Sequence, residues 1–159
     1  MDSKAATEIL RGGLPLTEAV VSGSLTLRDF AEVDTINSPV AIVNCVLDSL
    51  DAGFILFQAP VTLENVTVLG DCLLHACFFP AGFSAVHCRF KKGVDLRWGG
   101  HNKNGSVFRL EDCEFEQFAD FEDDWFEGPV EIRGCAFRGG ANILGLQGHP
   151  GHFRCYPNH

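Results

Sequence analysis

The end of the chain carries side chains with a clear chemical potential. Imidazole and thiolate groups are ligands that zinc and copper prefer, and four of them lie close together in the sequence. They are His149, His152, Cys155 and His159, and successive members are separated by two, two and three residues. At this spacing the four side chains are able to close around one ion. The spacing predicts a metal site. Because Pro150 and Gly151 favour coil, two alternatives stay open: an unstructured end, or a cap in which Phe153 and Tyr156 cover the preceding fold.

A second concentration of reactive groups is acidic. Between residues 111 and 131 there are ten Asp and Glu residues and no Lys, Arg or His. A block of carboxylates attracts a basic protein, and nine of these residues form the predicted partner-binding set: Glu111, Asp112, Glu114, Glu116, Asp120, Glu122, Asp123, Asp124 and Glu127. The Gly- and Asn-rich loop at residues 98–105 is expected to add specificity. The alternative interpretation is a solvated surface that keeps the protein soluble.

The cysteines are spaced as core residues. Four of them share a repeat position with a valine, which indicates that this position takes a small hydrophobic side chain: Cys45, Val66, Cys88, Cys113 and Cys135. Another cysteine is expected to align with small apolar residues on the next side: Cys72, Ala52, Val94, Ala119 and Ala141. The total of seven cysteines is odd, which excludes a framework in which each one forms a disulfide.

Several function classes are disfavoured by motifs and charge. The sequence has no phosphate-binding Gly-rich loop, no His-Glu-x-x-His and no Gly-x-Ser-x-Gly, so we expect neither an enzyme nor a cofactor. The net charge of −9 disfavours direct binding to nucleic acid, which requires an excess of Lys and Arg. No apolar run approaches the roughly 18 residues of a membrane span, and the polar start differs from a signal peptide. These features predict a cytoplasmic protein.

Internal repeats are the strongest structural signal in the sequence. Three apolar columns recur with nearly equal steps of 20 to 25 residues. The first column is Ile42, Leu63, Ala85, Leu110 and Ile132. The second column is Leu47, Val68, Phe90, Phe115 and Phe137. The third column is Phe54, Leu74, Leu96, Phe121 and Ile143. Chance clustering of apolar residues does not shift three columns together.

Within each period, short apolar–polar–apolar triplets recur every five or six residues. Alternation puts the outer two residues of a triplet on one face of an extended segment and the middle residue on the other. A turn after each triplet wraps the chain into a four-sided coil with its apolar residues inside. Successive coils then pair in parallel, so the pattern predicts an all-β solenoid in which each column is a ladder of like side chains.

Three of these triplets resemble the motif of the pentapeptide-repeat family: Val94-Asp95-Leu96, Ala119-Asp120-Phe121 and Ala141-Asn142-Ile143. The resemblance covers residues 23–145 and is closest to the loosely spaced variant centred on Phe. It implies a right-handed parallel, quadrilateral β-helix of about five to six coils. The family motif is specific for the fold and carries little information about function.

The two ends of the chain depart from the repeat. Residues 3–11 favour a short helix that Ser3 caps and Gly12-Gly13 end, and this helix is expected to cover the first coil. The expected organisation is therefore a helical cap at residues 1–22, a β-helix at 23–145 and a non-repeat tail at 146–159. A homodimer through one end of the β-helix is a further expectation for this architecture.

Three functions fit this architecture. The preferred one is a non-catalytic scaffold that binds a protein partner through the acidic coil 111–131 and the loop 98–105. An alternative is a folded carrier or precursor that presents the tail 146–159 to a modifying enzyme or a metal. The resemblance implies a third, because some pentapeptide-repeat proteins act on DNA gyrase: an acidic DNA mimic that occupies the duplex-binding groove of an enzyme.

Overall fold

The chain folds into a parallel β-solenoid of about 6 coils that begins with a short helix. The structure, a computed structural model, describes residues 1–143 and, beyond them, the backbone of residues 147–148 and 153–156. Within this part of the chain, no helix is long and apolar enough to cross a membrane. The predicted fold class is confirmed.

The elements of the first half are α1 (Ser3–Arg11), β1 (Leu16–Thr17), β2 (Val20–Thr26), a 3₁₀-helix (Leu27–Phe30), β3 (Thr35–Ile36), β4 (Val40–Asp51), β5 (Leu56–Phe57), β6 (Val61–Val68), β7 (Cys72–Leu73) and β8 (Phe83–Val86). The second half contributes β9 (Arg89–Phe90), β10 (Val94–Asp95), β11 (Phe108–Glu111), β12 (Glu114–Phe115), β13 (Ala119–Asp120), β14 (Trp125–Phe126), β15 (Val130–Arg133), β16 (Ala136–Phe137), β17 (Gln147–Gly148) and β18 (Phe153–Tyr156). Most strands are two to four residues long because each side of the coil is short.

Two predicted apolar columns are confirmed by the strand register. The first is paired in the predicted order: Ile42, Leu63, Ala85, Leu110 and Ile132. The second is also paired as predicted: Leu47, Val68, Phe90, Phe115 and Phe137. Every strand pairing that the structure describes on these two sides is parallel, so the same position of each coil enters the core at the same place.

The third predicted column is wrong at its first member. Phe54 is 56% exposed, because it lies at a corner where its φ of +62° turns the side chain away from the core. Ala52 takes the inward position instead, since Asp51 pairs with Leu73 and the next residues on the two coils are Ala52 and Leu74. The same correction applies to Cys72, which pairs with Leu50 and not with Ala52.

Five cysteines lie in the core as predicted, and they are free and buried: Cys45, Cys72, Cys88, Cys113 and Cys135. Cys77, for which no position was predicted, is also free and buried. Main-chain carbonyl oxygens accept hydrogen bonds from five of these thiols: Cys45, Cys77, Cys88, Cys113 and Cys135. The Sγ atoms of Cys88 and Cys113 donate to the carbonyl oxygens of Leu63 and Ala85, which belong to the first column of the preceding coil. Burial raises the pKa of Cys77 to about 12, so this thiol is neutral near pH 7.

One side of the solenoid is more regular than the others. The three triplets that resemble the family motif stack directly on one another along β10, β13 and the bridge from Ala119 to Ala141. Their outward carboxylates repeat a local turn: Asp95 Oδ1 accepts from the N–H of Arg97, and Asp120 Oδ1 from that of Glu122. The turn fixes the corner that follows this side.

The helix α1 has the predicted bounds and a different cap. Asp2, not Ser3, is the N-cap, and its Oδ1 accepts a hydrogen bond of 2.8 Å from the N–H of Ala5. Ala6 and Leu10 are fully buried, and α1 packs against β2 of the first coil. The helix therefore covers the apolar opening of the solenoid.

At the other end, the ladders continue past residue 145, the limit that the periodicity predicts. Strand β17 pairs with β14, and β18 pairs with β15, both in parallel. Of the predicted metal ligands, His149, His152 and His159 lie outside the described residues, and of Cys155 only the backbone is described.

Candidate functional site

The acidic segment 111–131 lies on the coil directly after the most basic one. Coil steps of 24 or 25 residues bring three of its carboxylates next to cations, and the resulting ion pairs are Arg89–Glu114, Lys91–Glu116 and Lys103–Glu127. Arg97 also lies within 3.7 Å of Asp120. The predicted acidic block is therefore largely balanced by its neighbours.

Glu114 is the most strongly paired of these carboxylates. Its Oε1 accepts from Nε of Arg138 at 2.8 Å on the following coil, while Oε2 lies 3.2 Å from Arg89 on the preceding coil. The hydrogen bond from Arg138 and the charge of Arg89 lower the pKa of Glu114 below its ordinary value. By contrast, Glu122 and Asp123 are exposed and take part in no ion pair within residues 1–143.

Asp124 is not on the surface, which corrects its place in the predicted partner-binding set. It is 1% exposed and points into the core, where its Oδ1 accepts a hydrogen bond of 2.8 Å from the N–H of Gly99. Desolvation, reinforced by the charges of Asp120 and Asp95, raises the pKa of Asp124 to about 8. The neutral carboxyl group ties the start of the loop 98–105 to the next coil.

Asn102 ties down the other end of the same loop. It is fully buried, and its Nδ2 donates to the carbonyl oxygens of Ser106 at 2.8 Å and Pro129 at 2.9 Å. Its Oδ1 accepts from the N–H of Gly128. The loop is thus fastened at Gly99 and at Asn102, so Trp98 and His101 are held in fixed positions.

These fastenings support a surface rich in exposed aromatic side chains. On the fourth side of the coil, an outward column runs through Leu56, Phe78, Gly100 and Trp125. The corner that leads into this side carries two more rings, Phe54 and Trp98, both with φ near +62°. The rings are 39 to 56% exposed, and we call this surface the aromatic face: Phe54, Leu56, Phe78, Trp98 and Trp125.

Two imidazoles pack between the rings. His75 meets Phe54 edge-on at a centroid distance of 5.0 Å, and its Nδ1 lies 3.8 Å from Oδ2 of Asp95. His101 leans on Phe78 at 4.2 Å. Because these imidazoles touch both the rings and the ladder, they stiffen the aromatic face.

Charged residues form the rim of the aromatic face. Cζ of Arg97 lies 4.5 Å from the centre of the Trp98 ring, and Arg97 also forms a two-pronged ion pair with Asp95. Partial burial works to raise the pKa of Asp95, but the hydrogen bonds and charge of Arg97 outweigh it and lower that pKa. Lys103 and Glu127 close the opposite rim at 2.9 Å.

A depression of about 330 Å³ lies beside Phe78, between the column and the rim. Its walls are the side chains of Leu56, Phe78 and Pro80, and its polar edge consists of Gln58, His101 and Lys103. The size and the mixed lining suit one protruding side chain of another molecule better than an enclosed substrate.

The predicted loop 98–105 is part of the aromatic face, but the rings themselves were not predicted. A signal for them exists in the sequence. The doublets Leu56-Phe57, Phe78-Phe79 and Trp125-Phe126 recur at steps of one and two coils, and adjacent residues of a strand point to opposite faces. One side chain of each doublet must therefore face solvent.

Among the described residues, no group of three or more His, Cys, Asp or Glu side chains is arranged to hold a metal ion. Comparison with protein-family models, curated proteins and solved structures finds no match to this chain. Conclusions about function therefore rest on the geometry of the chain itself.

Proposed function

We propose that the protein is a non-catalytic scaffold that binds another protein through the aromatic face, with the loop 98–105 as part of the contact. One observation carries the proposal: four exposed aromatic rings gather on one side and one corner of the solenoid. Aromatic side chains with a charged rim are typical of the centre and edge of protein interfaces.

Rigidity supports the same proposal. The rings project from paired strands and from a loop fastened by Asp124 and Asn102, so little conformational entropy is lost when a partner binds. A preorganised surface of this kind favours recognition over chemistry. The stacked coils would act as the frame that keeps the rings in register.

The charge of the chain indicates the class of partner. The net charge is −9, and the carboxylates of Glu122 and Asp123 stand at the corner beside Trp98 and Trp125 without ion pairs among the described residues. A partner surface that combines Arg or Lys with apolar side chains complements this rim. In this proposal the acidic coil 111–131 acts mainly through these two residues.

DNA mimicry is less well supported than protein binding. A mimic needs carboxylates that present their charge to a duplex-binding groove, whereas Glu114, Glu116 and Glu127 are each paired with a cation of an adjacent coil. The paired charges reduce the negative potential that such a groove would meet.

We also propose that the chain is a divergent member of the pentapeptide-repeat family. The support is the side on which Val94-Asp95-Leu96, Ala119-Asp120-Phe121 and Ala141-Asn142-Ile143 stack in register, with one local turn repeated at its corner. A family model built to include loosely spaced, Phe-centred coils is the direct test, and failure to align residues 50–143 to it would contradict membership.

Site-specific crosslinking tests the binding proposal. A photoreactive phenylalanine analogue replaces Phe78 in one protein and Trp125 in another, and each is irradiated in an extract of the source cells. We expect both to capture the same protein. The yield at position 78 should fall about tenfold when Trp125→Ala is added, because a central aromatic residue contributes strongly to an interface.

Phe118 provides the matched control. It is 46% exposed, like the rings of the aromatic face, but lies at a different corner of the solenoid. The analogue at position 118 should not capture the same protein, and Phe118→Ala should leave the yield at position 78 unchanged. Equal capture from positions 78 and 118 would contradict the proposal.

A further inference from the structure

The face itself contains one example of the ligand chemistry that its indole rings accept. The guanidinium of Arg97 lies over Trp98 at 4.5 Å and is held there by Asp95. A cation over an indole beside a carboxylate is a favourable arrangement, since the ring quadrupole and the anion attract the same charge. Trp98 is thus already occupied by a residue of its own chain.

Trp125 is also an exposed indole with a carboxylate nearby in the sequence, but no Arg or Lys of residues 1–143 lies over its ring. It is 41% exposed, and within residues 1–143 the ring of Trp98 is the only one with an Arg or Lys over it. The exposed carboxylate of Asp123 precedes Trp125 by two residues, at the corner where φ is +57°. Glu127 follows by two residues, but Lys103 already neutralises it at 2.9 Å.

The outward column has no side chain at the rung next to Trp125. Gly100 lies between Phe78 and Trp125 in the outward column and contributes no side chain, while the imidazole of His101 packs on the ring of Phe78 at 4.2 Å. A Cβ at Gly100 would meet the carbonyl oxygen of Trp125 at 2.8 Å and the buried ring of Phe126 at 3.1 Å, so a side chain at this position requires a shift of the backbone.

We infer that Trp125 and Asp123, beside the rung at which Gly100 contributes no side chain, form a subsite for an arginine side chain of the partner. This inference rests on the proposed function and names the residue type that the partner presents. The guanidinium would stack on the indole of Trp125 and pair with Asp123, in the way that Arg97 stacks on Trp98 and pairs with Asp95.

Two tryptophans in the whole chain make the test direct, because each gives one indole N–H signal in a nitrogen–proton correlation spectrum. The probe is N-acetyl-arginine amide, with the uncharged citrulline analogue as its control. We expect a saturable shift of the Trp125 signal with the arginine probe only. The Trp98 signal should move much less, because Arg97 covers that ring.

Asp123→Asn removes the charge and keeps a side chain that tolerates the left-handed corner, so the variant should fold. It should weaken binding of the arginine probe about two- to fivefold, whereas Asp71→Asn, an exposed position on another corner, should not. Equal shifts with the citrulline analogue, equal shifts of both indoles, or no effect of Asp123→Asn would overturn the inference.

The two proposals fail separately. If position 78 still captures its protein in a Trp125-dependent way while the arginine probe leaves the Trp125 signal unmoved, the arginine subsite is wrong and the scaffold proposal stands. If the probe saturates Trp125 while positions 78 and 118 capture protein equally, the subsite stands and the scaffold proposal is wrong.

Discussion

Asp124 is the one charged residue type at a position that uncharged residues occupy in the three preceding coils. Ile55, Cys77 and Gly99 precede it at this place in successive coils. Gly99 has no side chain and cannot gain one, because a Cβ would lie against the carbonyl oxygen of Cys77. The carboxyl group of Asp124 therefore caps the N–H of Gly99 from above. The hydrogen bond to Gly99 stabilises the fold, whereas the burial of the carboxyl group of Asp124 is unfavourable.

Asp124→Asn should stabilise the protein, and more so as the pH rises. In the folded state the pKa of Asp124 is raised to about 8, whereas the ordinary pKa of an Asp carboxyl group, which applies to the unfolded chain, is 3.8. Unfolding releases the carboxyl proton between those two values, so the stability of the native protein falls across that range and levels off above it. The amide keeps the oxygen that accepts from Gly99 and has no such dependence.

Thermal unfolding measured at pH 4 and pH 8.5 checks this prediction. The variant should exceed the native protein in Tm by roughly 5 °C or more at pH 8.5 and by little at pH 4. Asp123→Asn, an exposed neighbour, is the control and should show no such divergence. A constant difference in Tm at both pH values would mean that Asp124 is not protonated in the folded state.

Asn102→Ala should destabilise the fold by about 2–4 kcal/mol, because it leaves three main-chain groups without their partners in a buried place. Urea unfolding measures the change. Asn104→Ala lies in the same loop on an exposed side chain and should change the free energy of unfolding by less than about 0.5 kcal/mol. Equal effects of the two variants would show that Asn102 does not fasten the loop.

At the scale of the elements, charge is arranged between coils. Arg89 and Lys91 precede Glu114 and Glu116 by 25 residues, which is the length of that coil step. Parallel stacking converts this spacing into direct contact. The segment 111–131 is acidic in the sequence, but cations of the adjacent coils neutralise much of its charge. Exposed ion pairs of this kind help to set the register of the coils more than they stabilise the fold.

Glu114→Lys should lower Tm by several degrees in low salt, because it places a third cation between Arg89 and Arg138. The difference should shrink at high ionic strength, where exposed charges are screened. Glu122→Lys, made on an exposed carboxylate of the same coil, should have a smaller effect. If both variants lose the same Tm, pairing between coils does not contribute to stability.

The apolar ladders were predictable because the side-chain period of a strand and the step between coils both leave a mark on the sequence. Ile42 and Leu47 head columns whose every member was assigned correctly. Phe54 was not, because a left-handed corner reverses the direction of a side chain without changing its apolar character. The burial of Asp124 was not predicted, because an Asp in the sequence is expected on the surface and nothing in its type shows that it faces the core.

At the scale of the whole molecule, each coil touches only the coils before and after it. The ladder runs from β1 and β2 through β4, β6, β8, β11 and β15 to β18 without a contact that skips a coil among its pairings. Stability in such an array is close to a sum of local terms and nearest-neighbour terms. A change at one end should therefore act over a short distance.

Removing residues 144–159 should expose the edges of β14 and β15, which lose β17 and β18 as partners. Hydrogen exchange followed by mass spectrometry should show faster exchange in β13–β16 and unchanged exchange in β4 and β6. The uncut chain, measured in parallel, is the reference. Faster exchange spread evenly from β4 to β16 would mean that the solenoid opens as one cooperative unit.

The fastened loop also bears on how such a chain is able to lengthen during evolution. Asn102 joins Ser106 and the following coil, and the N–H of Ser106 donates to the carbonyl oxygen of Lys103, which closes a small tip at residues 103–105. Gly105 has open space around it. Extra residues acquired at this tip would grow outward from a closed base and leave the ladder in register. The aromatic face thus borders a place where the lineage is free to add new recognition segments without rebuilding the scaffold.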